Sequence, residues 1–234
     1  MKTKAYVAYL NKIPVYQGDI ELADAMANLG TIIPDVNKHP RLNKLSLTPK
    51  TKAKLFNHLK STVYGALMKR LYELMMEYFR SIVDCLLVNG LKSELIVGCE
   101  ERTISERDVL RAGSWEDVCK MITSNVMRSI EGKHDTEKLI TTINSRLSLC
   151  IPKKVFEAVK PFVEVRHLLV HNSGMADTRF KAKYAGVVRV DHDGSLMVDY
   201  KLVKNAIASY GKMIEAYDRA LEKSKLLPLG FMQP

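Results

Sequence analysis

Cysteine is scarce in this sequence and widely spaced. Cys85, Cys99, Cys119 and Cys150 are the only four in 234 residues, and no two form a CxxC pair. This excludes a secreted disulfide scaffold and implies free thiols in a reducing compartment. No stretch approaches the roughly 18 to 20 uninterrupted apolar residues that a bilayer span needs, which excludes a transmembrane helix. The start, Met1-Lys2-Thr3-Lys4-Ala5-Tyr6, is basic, but Asn11, Lys12 and Pro14 break the next stretch before a secretory apolar core can form. A cytoplasmic location is therefore expected. There is no Walker loop, no dinucleotide glycine fingerprint and no GxSxG elbow, so nucleotide hydrolysis and α/β-hydrolase chemistry lack support. Internal repeats and low-complexity tracts are absent as well.

What is present is a basic chain long enough for one substantial core. Its formal charge of +10 is unevenly placed. Residues 1–54 carry nine Lys and Arg against four Asp and Glu, residues 55–150 thirteen against thirteen, and residues 151–234 fourteen against nine. Surplus at both ends predicts attraction to polyanions, although a solvated basic face would give the same count.

From Thr48 onward the pattern is helical. Thr48 reads as an N-cap, Pro49 as a first helical residue and Asn89-Gly90 as a stop. Between them Leu55, Leu59, Val63, Leu67, Leu71, Leu74, Tyr78, Ile82 and Leu86 recur at three- and four-residue steps. Such a helix spans on the order of 60 Å, longer than one domain of this size needs, so part of it is expected to meet a second subunit. Ser105 to Asp108 and Ser114 to Asp117 resemble capping boxes with Asp in place of Glu. The second opens a helix carrying Val118, Ile122, Val126 and Ile130. Asp135 or Thr136 caps the next, with Leu139, Ile143 and Leu147. Residues 152–172 read as helix with a kink near Lys160 or a fresh start at Pro161. Val187, Val188 and Val190, a turn at Asp191-His192-Asp193-Gly194, then Leu196, Met197 and Val198 predict a β-hairpin. A last helix from about Lys201 aligns Leu202, Ala206, Tyr210, Met213, Tyr217 and Leu221. In residues 1–47, Tyr6 to Leu10 suggests a short strand and Ile20 to Leu29 a short helix, with Pro34 and Pro40 interrupting the residues beyond it. The expected organisation is an N-terminal extension over 1–47, an all-α helical domain over 48–226 and a tail over 227–234.

The segment most in need of a chemical explanation is Glu164-Val165-Arg166-His167-Leu168-Leu169-Val170-His171-Asn172-Ser173-Gly174, where an Arg and two His interrupt an apolar run just before a helix stop. His167 and His171 share a helix face with Glu164, whereas Arg166 and His171 are about 140° apart around the axis. The Arg stem must reach around, or a two-fold dimer must bring the Arg of one chain to the His of the other. The bland reading makes Arg166 and Glu164 surface ion pairs and both His satisfied boundary residues. Arg166-x4-His171, with a polar residue after the Arg and Asn172-Ser173-Gly174 after the His, resembles the R-x4-6-H signature of HEPN ribonucleases. The helix order over roughly residues 50–222 resembles that family too.

The resemblance implies an elongated HEPN-like helical bundle. It implies metal-independent RNA cleavage, by 2′-hydroxyl attack on the adjacent phosphate, in a cleft at a homodimer interface. In this reading no cofactor is used. His171 moves the proton, Arg166 stabilises the phosphate, His167 orients or contacts substrate, and Asn172 caps the helix or bonds substrate. Arg179, Lys181 and Lys183, interleaved with Phe180 and Tyr184, are candidate RNA contacts by phosphate pairing and base stacking; the bland reading of this stretch is an exposed connecting loop. Such enzymes serve toxin–antitoxin or anti-phage defence with an antitoxin or defence-system partner. In some members the antitoxin modifies a Tyr two residues after the motif His, a place held here by Ser173. The alternatives are a non-catalytic HEPN-like dimer that binds RNA or protein, and a metal-binding helical bundle. The last rests on the ExxH spacing of Glu164 and His167, repeated at Glu131 and His134, with Glu73 and Glu77 as further ligands. His167 and His171 alone could bind zinc, but no Glu lies between them as in HExxH proteases.

Overall fold

The computed structural model describes residues 1–32, 48–90, 105–132 and 136–233. Pro34, Pro40, Cys99, Lys133, His134 and Asp135 lie outside these, as do the side chains of Leu29, Val126, Ile130, Glu131 and Leu139. The described chain is all-α: α1 Lys4–Ile32, α2 Pro49–Val88, α3 Glu106–Arg111, α4 Trp115–Gly132, α5 Thr136–Arg146, α6 Lys153–Glu157, α7 Lys160–His171, α8 Thr178–Tyr184 and α9 Tyr200–Ser224. Two short strands, β1 Lys2–Thr3 and β2 Met232–Gln233, pair antiparallel with Thr3 opposite Met232. None of the described helices is long and apolar enough to cross a membrane.

The local signals account for most helix ends. The Thr51 N–H donates to Thr48 Oγ1 at 3.2 Å, and after α2 the Asn89 side-chain amide donates to the Cys85 carbonyl while Gly90 takes φ 78°. Both Asp-containing capping boxes form: the Asp108 and Asp117 N–H groups donate to Ser105 Oγ and Ser114 Oγ at 3.1 and 3.2 Å, and each serine hydroxyl donates back to the aspartate. Of the two options at Pro161, the chain takes the fresh start. α6 ends at Glu157, and Pro161 sits in the first turn of α7, where its missing N–H breaks no helical bond.

Two expectations are corrected. Tyr6 to Leu10 is helix, not strand: Thr3 caps α1 by accepting the Tyr6 N–H at 3.0 Å, and Ala5, Tyr6, Tyr9, Tyr16, Ile20 and Ala23 are buried at helical spacing. A continuous apolar run of five residues is too short to separate the two periods. The hairpin at 187–198 is present only as a tight reversal. Gly194 N–H donates to the Asp191 carbonyl, but only Val190 and Leu196 bridge across it. Its returning leg is diverted to the loop after α7, where the Leu196 N–H donates to the Gly174 carbonyl and Met175 bridges Ser195.

The chain forms two compact units. One comprises Met1–Leu10, Glu73–Lys160 and Ser209–Pro234, the other Asn11–Tyr72 and Pro161–Ala208. In the first, Phe79 of α2 meets Tyr217 of α9 edge to face at 5.0 Å, among buried Ile82, Leu86, Met213 and Ile214. Burial of each such side chain contributes about 1.5–3 kcal/mol. Lys160 pairs with Glu137, with its ammonium over the Phe156 ring. Cys85 and Cys119 are buried free thiols, and Cys150 is exposed. In the second unit, Tyr64, Met68 and Leu71 of α2, Val165 of α7 and Val203 and Ala206 of α9 are buried, and Lys60 and Tyr64 both bond Asp24 of α1.

Asp218, buried on α9, accepts hydrogen bonds from the Thr3 N–H and hydroxyl and so secures the start of α1. Burial raises its carboxyl above the ordinary range, opposed by the Thr3 donors. The folded chain therefore keeps the proton to higher pH than the unfolded one. The contribution of Asp218 is fully present below the ordinary aspartate value and is lost as pH rises through the raised native one. Urea midpoints of wild type relative to Asp218→Asn should fall as pH climbs from about 4 through that window and then level. A difference that is flat, or that grows with pH, contradicts burial as the controlling effect.

Candidate functional site

The Arg-His segment forms the second half of α7, and its geometry begins with how that helix ends. Leu168 carries a double load: its carbonyl accepts the Asn172 N–H at 3.0 Å, the last helical bond, and the Gly174 N–H at 2.9 Å, which closes a left-handed helix stop. Ser173 and Gly174 take φ 50° and 76°, and the Asn172 side-chain amide donates to the Met175 carbonyl at 2.6 Å. Asn172 thus serves the turn, the capping option of its two expected roles. The loop is then held by the 191–196 reversal: Gly194 accepts the Ala176 N–H at 2.9 Å.

On α7 the three functional candidates go two ways. His167, half-buried, and His171, exposed, face each other one turn apart with ring centroids at 4.8 Å and planes inclined by 42°. Arg166 turns instead to α2, where its guanidinium carbon lies 4.4 Å from the centre of the Tyr72 ring. Its Nε is buried with no hydrogen-bond partner. Leaving that donor dry costs about 1–3 kcal/mol, of which the ring face returns roughly 0.5–2 kcal/mol. Within one chain, then, the imidazoles are brought together and the guanidinium is held on a separate aromatic partner. Tyr72 was not anticipated from sequence. The only hint is an aromatic residue inside the apolar run of α2, with nothing local to name its partner. Glu164, on the His face, is half-buried.

Comparison with protein-family models, with curated proteins and with solved structures finds no match for this chain.

The basic cluster downstream is ordered rather than a loop. Asp177 caps α8 by accepting the Phe180 N–H at 2.7 Å, and Arg179, Lys181 and Lys183 are exposed on the helix. Base stacking by Phe180 and Tyr184 is corrected. Four apart on α8, both turn inward with ring centroids at 5.1 Å and are buried, because that spacing gives a short helix its core face. Phosphate pairing remains open to the three cations. Among the described residues no three His, Cys, Asp or Glu side chains converge as a metal site. The second ExxH copy, Glu131 with His134, falls outside the described residues.

Gly174→Ala tests the helix stop that places His171. A Cβ there meets only Leu169 Cδ2, at 3.5 Å, so backbone strain at φ 76° dominates. The expected loss is about 1 kcal/mol, read as a lowered urea midpoint; an unchanged midpoint contradicts it.

Proposed function

We propose that this chain is a metal-independent endoribonuclease of the HEPN kind, acting as a homodimer in which Arg166 and His171 serve one scissile phosphodiester. The observation that carries the reading is the end of α7. An exposed imidazole packed at a tilt against a second one stands there, and the next helix in the chain presents Arg179, Lys181 and Lys183 to solvent. A histidine titrating near neutrality can take the proton from a ribose 2′-hydroxyl or return one to the leaving 5′-oxygen. The Arg166 guanidinium, permanently charged, stabilises the phosphorane oxygens as charge builds on them. His167 orients His171 through the ring contact. The three cations on α8 bind flanking phosphates, which makes binding salt-dependent. Because Arg166 and His171 leave α7 about 140° apart and have different neighbours in one chain, the reading pairs the arginine of one protomer with the histidine of the other. A cytoplasmic setting in toxin–antitoxin or anti-phage defence, restrained by a partner protein, goes with this activity.

The purified protein is expected to cut RNA in EDTA and leave a 2′,3′-cyclic phosphate. Arg166→Ala and His171→Ala should each lower the rate at least roughly 100-fold, with circular dichroism unchanged. Salt-sensitive RNA binding with no turnover would replace the enzyme with a non-catalytic binding dimer. Cleavage restored only by iron, manganese or zinc would replace it with a metal-dependent site.

A further inference from the structure

The ribonuclease reading explains why Arg166 is present but not why its guanidinium lies over a ring of another helix with its Nε buried. An arginine has four rotatable side-chain torsions, and on a helix surface its guanidinium would sample many positions. Here one contact and one buried atom limit that freedom. The guanidinium carbon lies over the Tyr72 ring, 4.4 Å from its centre, and the buried Nε leaves the two η-nitrogens as the donors available to an anion. Tyr72 is itself firmly seated: it is buried on α2, and Tyr64 and Met68, eight and four residues earlier on the same helix face, are both fully buried. A buried donor without a partner calls for an explanation, and a requirement to aim the opposite edge of the guanidinium supplies one.

Resting on that reading, we propose that Tyr72 is the positioning residue for Arg166: its ring face holds the guanidinium so that the η-nitrogens meet the scissile phosphate. The tyrosine touches no reacting atom. It acts by fixing a charge in advance, so that stabilisation of the transition state needs no reorganisation when the reaction occurs. The quality that matters is the negative potential of the ring face, not the hydroxyl.

The test uses the full chain with position 72 as Tyr, Phe, Leu and a series of progressively fluorinated phenylalanines, which keep the shape of the ring while draining its face of negative potential. Two readouts are taken: RNA cleavage, and the Nε–H resonance of Arg166 in a nitrogen-15 correlation spectrum, assigned by its loss in Arg166→Lys. In the wild type this resonance should be shifted upfield by the ring and exchange slowly with solvent. Tyr72→Phe should retain both the resonance and the rate. Tyr72→Leu should return the resonance to the free-arginine position and lower kcat roughly 10- to 100-fold, with KM changed less than about twofold because the lost interaction is made chiefly in the transition state. Across the fluorinated series kcat should fall stepwise at constant unfolding midpoint, which a purely structural tyrosine would not produce and which keeps the test valid should Tyr72→Leu fail to fold. A resonance unmoved by Tyr72→Leu, or a rate indifferent to fluorination in a protein that cuts RNA, overturns the proposal. Wild-type protein that cuts no RNA overturns the ribonuclease reading instead, and the resonance still decides whether Tyr72 holds Arg166.

Discussion

Desolvation of the second half of α2 is the constraint to which the rest of the chain answers. From Leu67 to Leu87 most residues are buried, more than one stripe of a surface helix would require, so this stretch must be covered on several sides. The first turns of the same helix are different: Leu55 and Leu59 are exposed, although they continue the apolar spacing. One regular pattern thus serves a core over part of its length and remains open to solvent over the rest. A helix of 40 residues can do this because its own backbone bonds are satisfied wherever its side chains go.

The candidate site borrows rigidity from that helix. Tyr72 lies on the buried stretch of α2, and Arg166 reaches it from α7, giving up hydrogen bonding at Nε to do so. The histidines depend on a different device, the left-handed stop at Ser173 and Gly174, where the Leu168 carbonyl accepts two hydrogen bonds and the 191–196 reversal supports the loop. Charge placement and helix termination are therefore under separate control. This separation matters for the proposed chemistry, since proton transfer and phosphate stabilisation make different geometric demands.

Much of the helical order was legible because its causes are local. Thr48, Ser105 and Ser114 announce helix starts by offering an oxygen to an unpaired N–H two or three residues on, and Asn89-Gly90 and Asn172-Ser173-Gly174 announce stops by tolerating left-handed backbone. Such signals act within a turn of chain, so the structure bears them out: the caps form and the glycines take positive φ. The errors arose where short segments were judged by period alone. Tyr6 to Leu10 is helical because Thr3 caps it and Asp218, far along the chain, secures Thr3. The 187–198 segment fails to become a regular hairpin because the loop after α7 competes for its returning leg.

For this protein the sequence by itself determined the all-α class, most helix boundaries, the balance of charge and the presence of an Arg-His set at a helix end, since each depends on residues within a few positions of one another. The shared face of His167 and His171 likewise follows from their spacing on one helix. Only the tertiary structure decided that Arg166 faces Tyr72 and that Phe180 and Tyr184 turn inward, which leaves Arg179, Lys181 and Lys183 exposed. The physical reason is that a guanidinium over a ring and the desolvation of a helix face are contacts between elements. Their partners are chosen by how helices pack, and no local spacing in the chain encodes that choice.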